Sequence, residues 1–206
     1  IEATLSGATP ITSELITVLP REANEMVINT QPSSSATAGT AFPQQPIIFL
    51  RDQFGNKVTT DNATQVTASI NSGDGSLSGT LTQTASGGEI TFPDLNSTTA
   101  DTVTLKFESS GLNTVTSDPI IISPAAASDL EYIQQPTNTA QNSTIDPPVE
   151  LQLLDQYGNK VQTSGTSVSI NNGTFLNDNS TFSNTTDANG IATFSDLNIE
   201  SSAPTG

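Results

Sequence analysis

The chain has 206 residues, with 5 basic and 21 acidic side chains, a formal charge of −16, and no Cys, His or Trp. A surface of that sign repels nucleic acid and anionic membranes. The missing residue types exclude thiol nucleophiles, His-based triads, disulfide staples and the usual zinc or iron sites. Charged residues are 13% and aromatics 5% of the chain, and Ser, Thr and Asn are abundant, which suits half-buried sheets better than helices. No apolar run is long enough for a bilayer-spanning helix and no signal-peptide pattern stands at Ile1, so the chain reads as a mature segment.

In chain order, the first 21 residues carry two apolar runs, "IEATL" (1–5) and "SELITVLP" (13–20). Short strands are expected near Met26–Asn29, Ile47–Asp52, Val66–Ile70, Glu89–Phe92, Leu105–Phe107 and Pro119–Ile122, separated by Gly, Pro, Asn and Asp. The stretch "DQFGNKV" (52–58) closes one of them. The strand ends at Asp52, whose carboxylate suits nearby backbone N–H groups. Gly55 and Asn56 tolerate positive φ, and Lys57 and Val58 begin the return. Gly88, in "SGGEITF" (86–92), turns the chain into a strand anchored by Phe92.

The pattern then restarts. "LLDQYGNKV" (153–161) repeats "LRDQFGNKV" (50–58), so Asp155, Gly158 and Asn159 stand where Asp52, Gly55 and Asn56 stood. "SDPIIISP" (117–124) parallels "SELITVLP" (13–20), and "ATFSDLN" (192–198), with Gly190 before it, parallels "ITFPDLN" (90–96). These offsets of 102–104 residues define a repeat of about 103. Residues 1–20 match the end of the repeat, and residues 125–206 match its beginning and middle. If Ile1 of another copy follows Gly206, the alignment crosses the junction without a gap and sets Ile1 and Ala3 on Leu105 and Phe107.

Comparison of the two copies sorts faces. Ile48 meets Leu151 and Leu50 meets Leu153, apolar in both and therefore expected in the core. Ile47 meets Glu150 and Phe49 meets Gln152, expected to face out. About seven strands per hundred residues fit an immunoglobulin-like sandwich, with another antiparallel β-fold of the same size as the alternative. The expected fold is all-β: tandem immunoglobulin-like β-sandwiches in a chain cut out of phase with the repeat. Residues 1–21 are then the C-terminal strands that complete the domain of a preceding unit. Residues 22–124 are a complete domain. Residues 125–206 are the N-terminal part of a second, completed by residues 1–21 of the next unit.

"DQYGNKV" followed by "TDANGIATF" (186–194) resembles the bacterial Ig-like repeats of invasin- and intimin-type surface adhesins and of large repetitive secreted proteins. The first repeat departs from it with "ASGGE" (85–89) in place of "TDANG". The resemblance spans both repeats, and its motifs are turns, so it speaks to fold more than to ligand. It implies an extended stalk of sandwiches outside the cell.

No catalytic constellation is expected. The structural turns are Asp52, Gly55, Asn56, Asp155, Gly158, Asn159, Gly88 and Gly190. Ile1, Ala3, Leu5, Ile16 and Val18 are expected to pack between units, the first three near Val168, Ile170 and Phe194. No cofactor is expected. The oxygen-rich loops "NSGDGS" (71–76) and "NDNS" (177–180) are the places a calcium ion would bind, though neither follows the EF-hand pattern. A Lys–Asn isopeptide bond is not expected, because Lys106 should face out and Lys57 and Lys160 follow exposed turns. The partners expected are neighbouring copies of the chain in an extracellular filament or cell-surface stalk. Surface glycans or a receptor are the alternative, as is a role as accessory domain of a secreted hydrolase. The poverty of aromatics, with only Tyr132 and Tyr157 as tyrosines, favours the spacer, since binding faces gather aromatics.

Overall fold

The computed structural model describes residues 1–140, 143–171 and 181–198, and those residues hold strands and no helix. The strands are β1 (Glu2–Ala3), β2 (Ile11–Thr12), β3 (Glu25–Thr30), β4 (Ser35–Thr37), β5 (Ile47–Arg51), β6 (Gln65–Ser72), β7 (Leu77–Ser78), β8 (Thr82–Thr84) and β9 (Glu89–Thr91). They continue as β10 (Asn96–Ser97), β11 (Thr102–Glu108), β12 (Val115–Thr116), β13 (Ile120–Ser123), β14 (Ala127–Gln134), β15 (Val149–Asp155), β16 (Ser167–Asn171), β17 (Thr181–Thr185) and β18 (Ile191–Phe194). The protein is all-β.

Two sheets enclose the larger core. One has the order β3-β5-β9; the other runs β4-β13-β11-β6-β8, with β12 also paired to β11. The chain leaves the first sheet after β3 and joins the second at β4, with Pro32 between them. Proline has no N–H for a ladder, so the strand must break there. β4 then pairs parallel to β13 while every other pair is antiparallel. Period-two alternation turns Ile48 and Leu50 of β5 and Val103, Leu105 and Phe107 of β11 inward. The Phe92 and Phe107 rings meet at 5.4 Å between centroids. Each side chain of this size removed from water contributes about 1.5–3 kcal/mol.

A second cluster is smaller: Ile145, Val149, Leu151, Leu153, Val161, Val168, Ala192, Phe194 and Leu197. It lies between the sheet β14-β15-β18 and the pair β16-β17. In the larger core β6 has β8 on one edge and β11 on the other. Its counterpart β16 has β17 on one edge, and among the described residues nothing pairs with the other.

Residues 1–14 reproduce a piece of the larger sandwich. β1 pairs with β2 as Glu2↔Thr12 and Ala3↔Ile11, and β11 with β12 as Lys106↔Thr116 and Phe107↔Val115. All four positions differ by 104. Ser13 N–H reaches Ile1 O at 2.8 Å, as Ser117 N–H reaches Leu105 O at 2.8 Å. The Ser13 hydroxyl accepts from the Ile1 amine and donates to Glu14 O, and the Ser117 hydroxyl accepts from Leu105 N–H and donates to Asp118 O. Gly7 and Gly111 both sit at the turn with φ near +80° (82° and 81°). The surroundings differ. Leu105 and Ile120 are fully buried, whereas their counterparts Ile1 and Ile16 are 86% and 61% exposed.

Three details depart from expectation. Gln152 does not face solvent: it is buried, and its amide donates to the carbonyls of Asn189 and Gly190 at 3.1 and 3.3 Å. Alternation sets the face, but the 187–190 turn folds over that face. Phe49, at the matching place, is half-buried beneath the Lys57 ammonium, 3.9 Å from the ring centroid. Lys57 and Val58 make no strand, only a bridge of Lys57 to Arg51 and a bond from Val58 N–H to Leu50 O. Residues 16–19, which match β13, are not a strand either. β13 owes its form to β11 and β4, and, among the described residues, 16–19 have no such neighbours.

Candidate functional site: the joint between the two cores

The two "DQ-aromatic-GN" turns are built alike. Asp155 Oδ1 accepts the Tyr157 and Asn159 N–H groups, both at 2.9 Å, and Asp52 Oδ1 accepts those of Phe54 and Asn56, both at 2.9 Å. Gly158 and Gly55 bond back to the Asp carbonyl. Each occupies φ near +80° (83° and 82°), a region where a side chain would be strained. The second carboxylate oxygen reaches further. Asp155 Oδ2 accepts from the Asn159 amide at 2.8 Å and from Ala125 N–H at 2.8 Å. Asp52 Oδ2 accepts from the Asn56 amide at 3.1 Å and from Arg21 N–H at 3.2 Å. Ala125 and Arg21 each follow a proline, Pro124 and Pro20. One carboxylate thus ties a turn to the segment that leads into its own sheet.

Both aspartates are buried side chains. Burial pushes their carboxyls up, but the four hydrogen bonds to each outweigh it. Asp52 is held down at about 2, from an ordinary 3.8, and Asp155 is lowered as well. The same construction appears a third time at Asp187, whose Oδ1 accepts from Asn189 and Ile191 N–H and whose carboxyl is lowered by those bonds. Gly190, at φ 75°, lies where a Cβ would collide with Val161 O, and Gly88, at φ 69°, where one would collide with Val58 O. Each glycine carbonyl accepts from the central strand, at Leu153 and Leu50.

The second turn also touches the first sandwich. Asn159 Oδ1 accepts the Ala100 N–H at 2.8 Å, and its Nδ2 donates to Thr98 O at 2.8 Å. The Tyr157 ring lies on Gly39, where any Cβ would collide with the phenol. Only backbone groups of the first sandwich are read. At the first turn nothing comparable happens. Phe54 is 68% exposed, Asn56 donates to Asp52 alone, and the Arg21 guanidinium lies 5.9 Å from the Phe54 ring centroid. Sequence reasoning found both turns but missed this joint. Its signal was the pair of matched asparagines, which the sequence alone cannot tell apart.

Ile1, Ala3, Leu5, Ile16 and Val18 are all exposed in this chain. In the 71–76 loop, Asp74 N–H bonds Asp101 at 2.6 Å and Asn71 and Ser72 bond Thr104. The 177–180 loop lies outside the described residues. Among the described residues no group of three acidic side chains is gathered to hold a metal. Lys57 pairs with Glu89 at 2.8 Å and Lys106 with Glu108 at 3.0 Å, both partly exposed.

No protein-family profile matches the chain, and no curated protein sequence matches it. Among the solved structures similar to it in part are the following two. Extracellular domains 3–5 of Drosophila OTK match over 88% of this chain and 59% of theirs, at 14% identity and a TM-score of 0.34. The S-layer protein rSbsC(31–844) matches over 87% of this chain and 23% of its own, at 16% identity and a TM-score of 0.31. The chain therefore spans less than two thirds of either. Likeness at that level identifies neither family nor function.

Proposed function

We propose that the chain is a structural repeat unit of an extracellular filament or cell-surface stalk of the bacterial Ig-like kind, assembling head to tail with copies of itself. Residues 1–21 of one unit complete the sandwich begun by residues 125–206 of the unit before it. One observation carries this reading: the 1–14 hairpin repeats the bonds of residues 105–118 while its apolar face is bare. The second core is short of the same piece. Leu130 of β14 is 43% exposed where its counterpart Met26 is 3% exposed. Bare apolar faces and open strand edges on one molecule ask for a partner. No catalysis is assigned, and no cofactor, nucleic acid or membrane insertion is part of the reading.

The test is calorimetric. Two copies fused through Gly206–Ile1 should unfold with an enthalpy well above that of two separate chains, because the junction creates one extra complete sandwich. A fusion whose enthalpy is the plain sum of its parts contradicts the proposal.

A further inference from the structure

The chain has two Asp–Pro bonds, Asp118–Pro119 and Asp146–Pro147. At each, a side-chain hydroxyl donates to the aspartate carbonyl: Ser117 to Asp118 O at 2.8 Å and Thr137 to Asp146 O at 2.8 Å. The first is better built. Ser117 is buried and also accepts Leu105 N–H at 2.9 Å, which leaves its own proton for Asp118 O. Thr137 is exposed, where water competes for the bond. The Asp118 N–H is held by Gln31 Oε1 at 3.2 Å. The Asp118 side chain is exposed, and among the described residues its carboxylate accepts no hydrogen bond. In that it differs from Asp52, Asp101, Asp155 and Asp187, whose carboxylates are tied to backbone N–H groups.

We infer that Asp118–Pro119 is a self-cleavage site, cut by the aspartate's own carboxylate while the Ser117 hydroxyl holds the developing oxyanion. A carboxylate oxygen of Asp118 adds to the carbonyl carbon of the same residue and closes a five-membered ring, an attack favoured by proximity. The carbonyl oxygen takes up negative charge where the Ser117 hydroxyl already points. The C–N bond then breaks. Its electron pair leaves with the Pro119 nitrogen, which takes a proton from solvent, so acid speeds the step. That nitrogen is a tertiary amide and departs as a secondary amine. Water opens the cyclic anhydride and leaves Asp118 as a C-terminal residue. The sum is hydrolysis of one peptide bond, with no oxidant or cofactor. Ser13 and Glu14 repeat the hydroxyl bond at 2.9 Å, but Leu15 follows Glu14. That bond lacks both the short acid and the proline, and it serves as the control within the chain. The cut falls between β12 and β13. β13 keeps its pairs with β11 and β4, and Ile120 and Ile122 stay in the core. The nicked chain therefore holds together, but its second core is tied to the first only by a four-residue strand and the Asn159 joint.

The test is intact mass spectrometry of the full chain held at pH about 5. The folded chain should yield residues 1–118 and 119–206 at least about tenfold faster than the same chain unfolded by urea in the same buffer. The cut at Asp146–Pro147 should be slower than at Asp118–Pro119 in the folded chain, and Glu14–Leu15 should stay whole. A folded rate at Asp118–Pro119 no higher than the urea rate overturns the inference, and that comparison needs no variant. Ser117→Ala should slow the cut by about tenfold, less than the loss of about a hundredfold or more that follows removal of an enzyme's oxyanion donor. Ser117→Thr keeps the hydroxyl and should restore most of the rate. A Ser117→Ala chain that circular dichroism shows to be folded, yet is cut as fast as the parent, overturns the inference as well. Asp118→Glu enlarges the ring and should stop the cut at this bond; an undiminished rate there would mean that another group attacks.

Discussion

Residues 105–118 and residues 1–14 share their turns, registers and hydrogen bonds, and differ in what surrounds them. The first hairpin lies between β6 and the opposing sheet, and its Leu105 and Phe107 are fully buried. The second stands alone with the same apolar pattern in solvent. Local sequence therefore suffices for the hairpin, while burial needs a second sheet. A hairpin this small is marginal without a face to pack on, and among the described residues that of residues 1–14 is bare.

The largest effect should fall on the buried member. Leu105→Ala should lower stability by about 2–5 kcal/mol in denaturant unfolding, through lost burial and the cavity left behind. A cost below that of a surface substitution would mean that the β11 face is not the core it looks like.

Asp155→Ala comes next, at about 1–3 kcal/mol, because four bound donors, three of them backbone N–H groups or neighbours of the joint, lose their acceptor. Asp155→Asn should recover part of the loss. The same carboxylates dictate the pH response. Asp52, Asp61, Glu89, Asp101, Asp155 and Asp187 are all lowered in the folded chain. Between pH about 4 and 2 the unfolded chain binds more protons than the folded one. Their contribution is thus present above the ordinary carboxylate range and lost as pH falls through the folded values. Thermal unfolding from pH 7 to 2 should show a fall in Tm concentrated below pH about 4; a Tm that rises there would contradict the hydrogen-bonded carboxylates.

Asn159→Ala removes two bonds between the sandwiches and should cost about 1 kcal/mol while freeing the angle between the two halves, read by scattering or spin-label distances. Smallest of all, Ile16→Ala in the single chain should change stability by less than about 0.5 kcal/mol, although its counterpart Ile120 is fully buried. In the two-copy fusion the downstream Ile16→Ala should cost several times more.

Much of this was readable beforehand. The alternation of Ile48 and Leu50 and the carboxylate bonds at Asp52 and Asp155 come from residues whose chemistry is local. Gln152 was misplaced because alternation names a face without naming what covers it. The joint was unreadable for a related reason. Asn56 and Asn159 have the same neighbours in sequence, and only the fold shows that one of them meets another sandwich. The failure of residues 16–19 to form a strand belongs with these: a strand is a property of two segments, and among the described residues nothing pairs with this one.

The most direct test is amide hydrogen exchange on the two-copy fusion, comparing residues 1–18 of its upstream and downstream copies. Their sequences are identical, so any difference reports the sandwich that precedes only one of them. Head-to-tail completion predicts exchange at least about a hundredfold slower in the downstream copy, with the amides of β16 in the upstream copy slowed alongside. Equal rates in the two copies, with the upstream β16 edge still open, would contradict it.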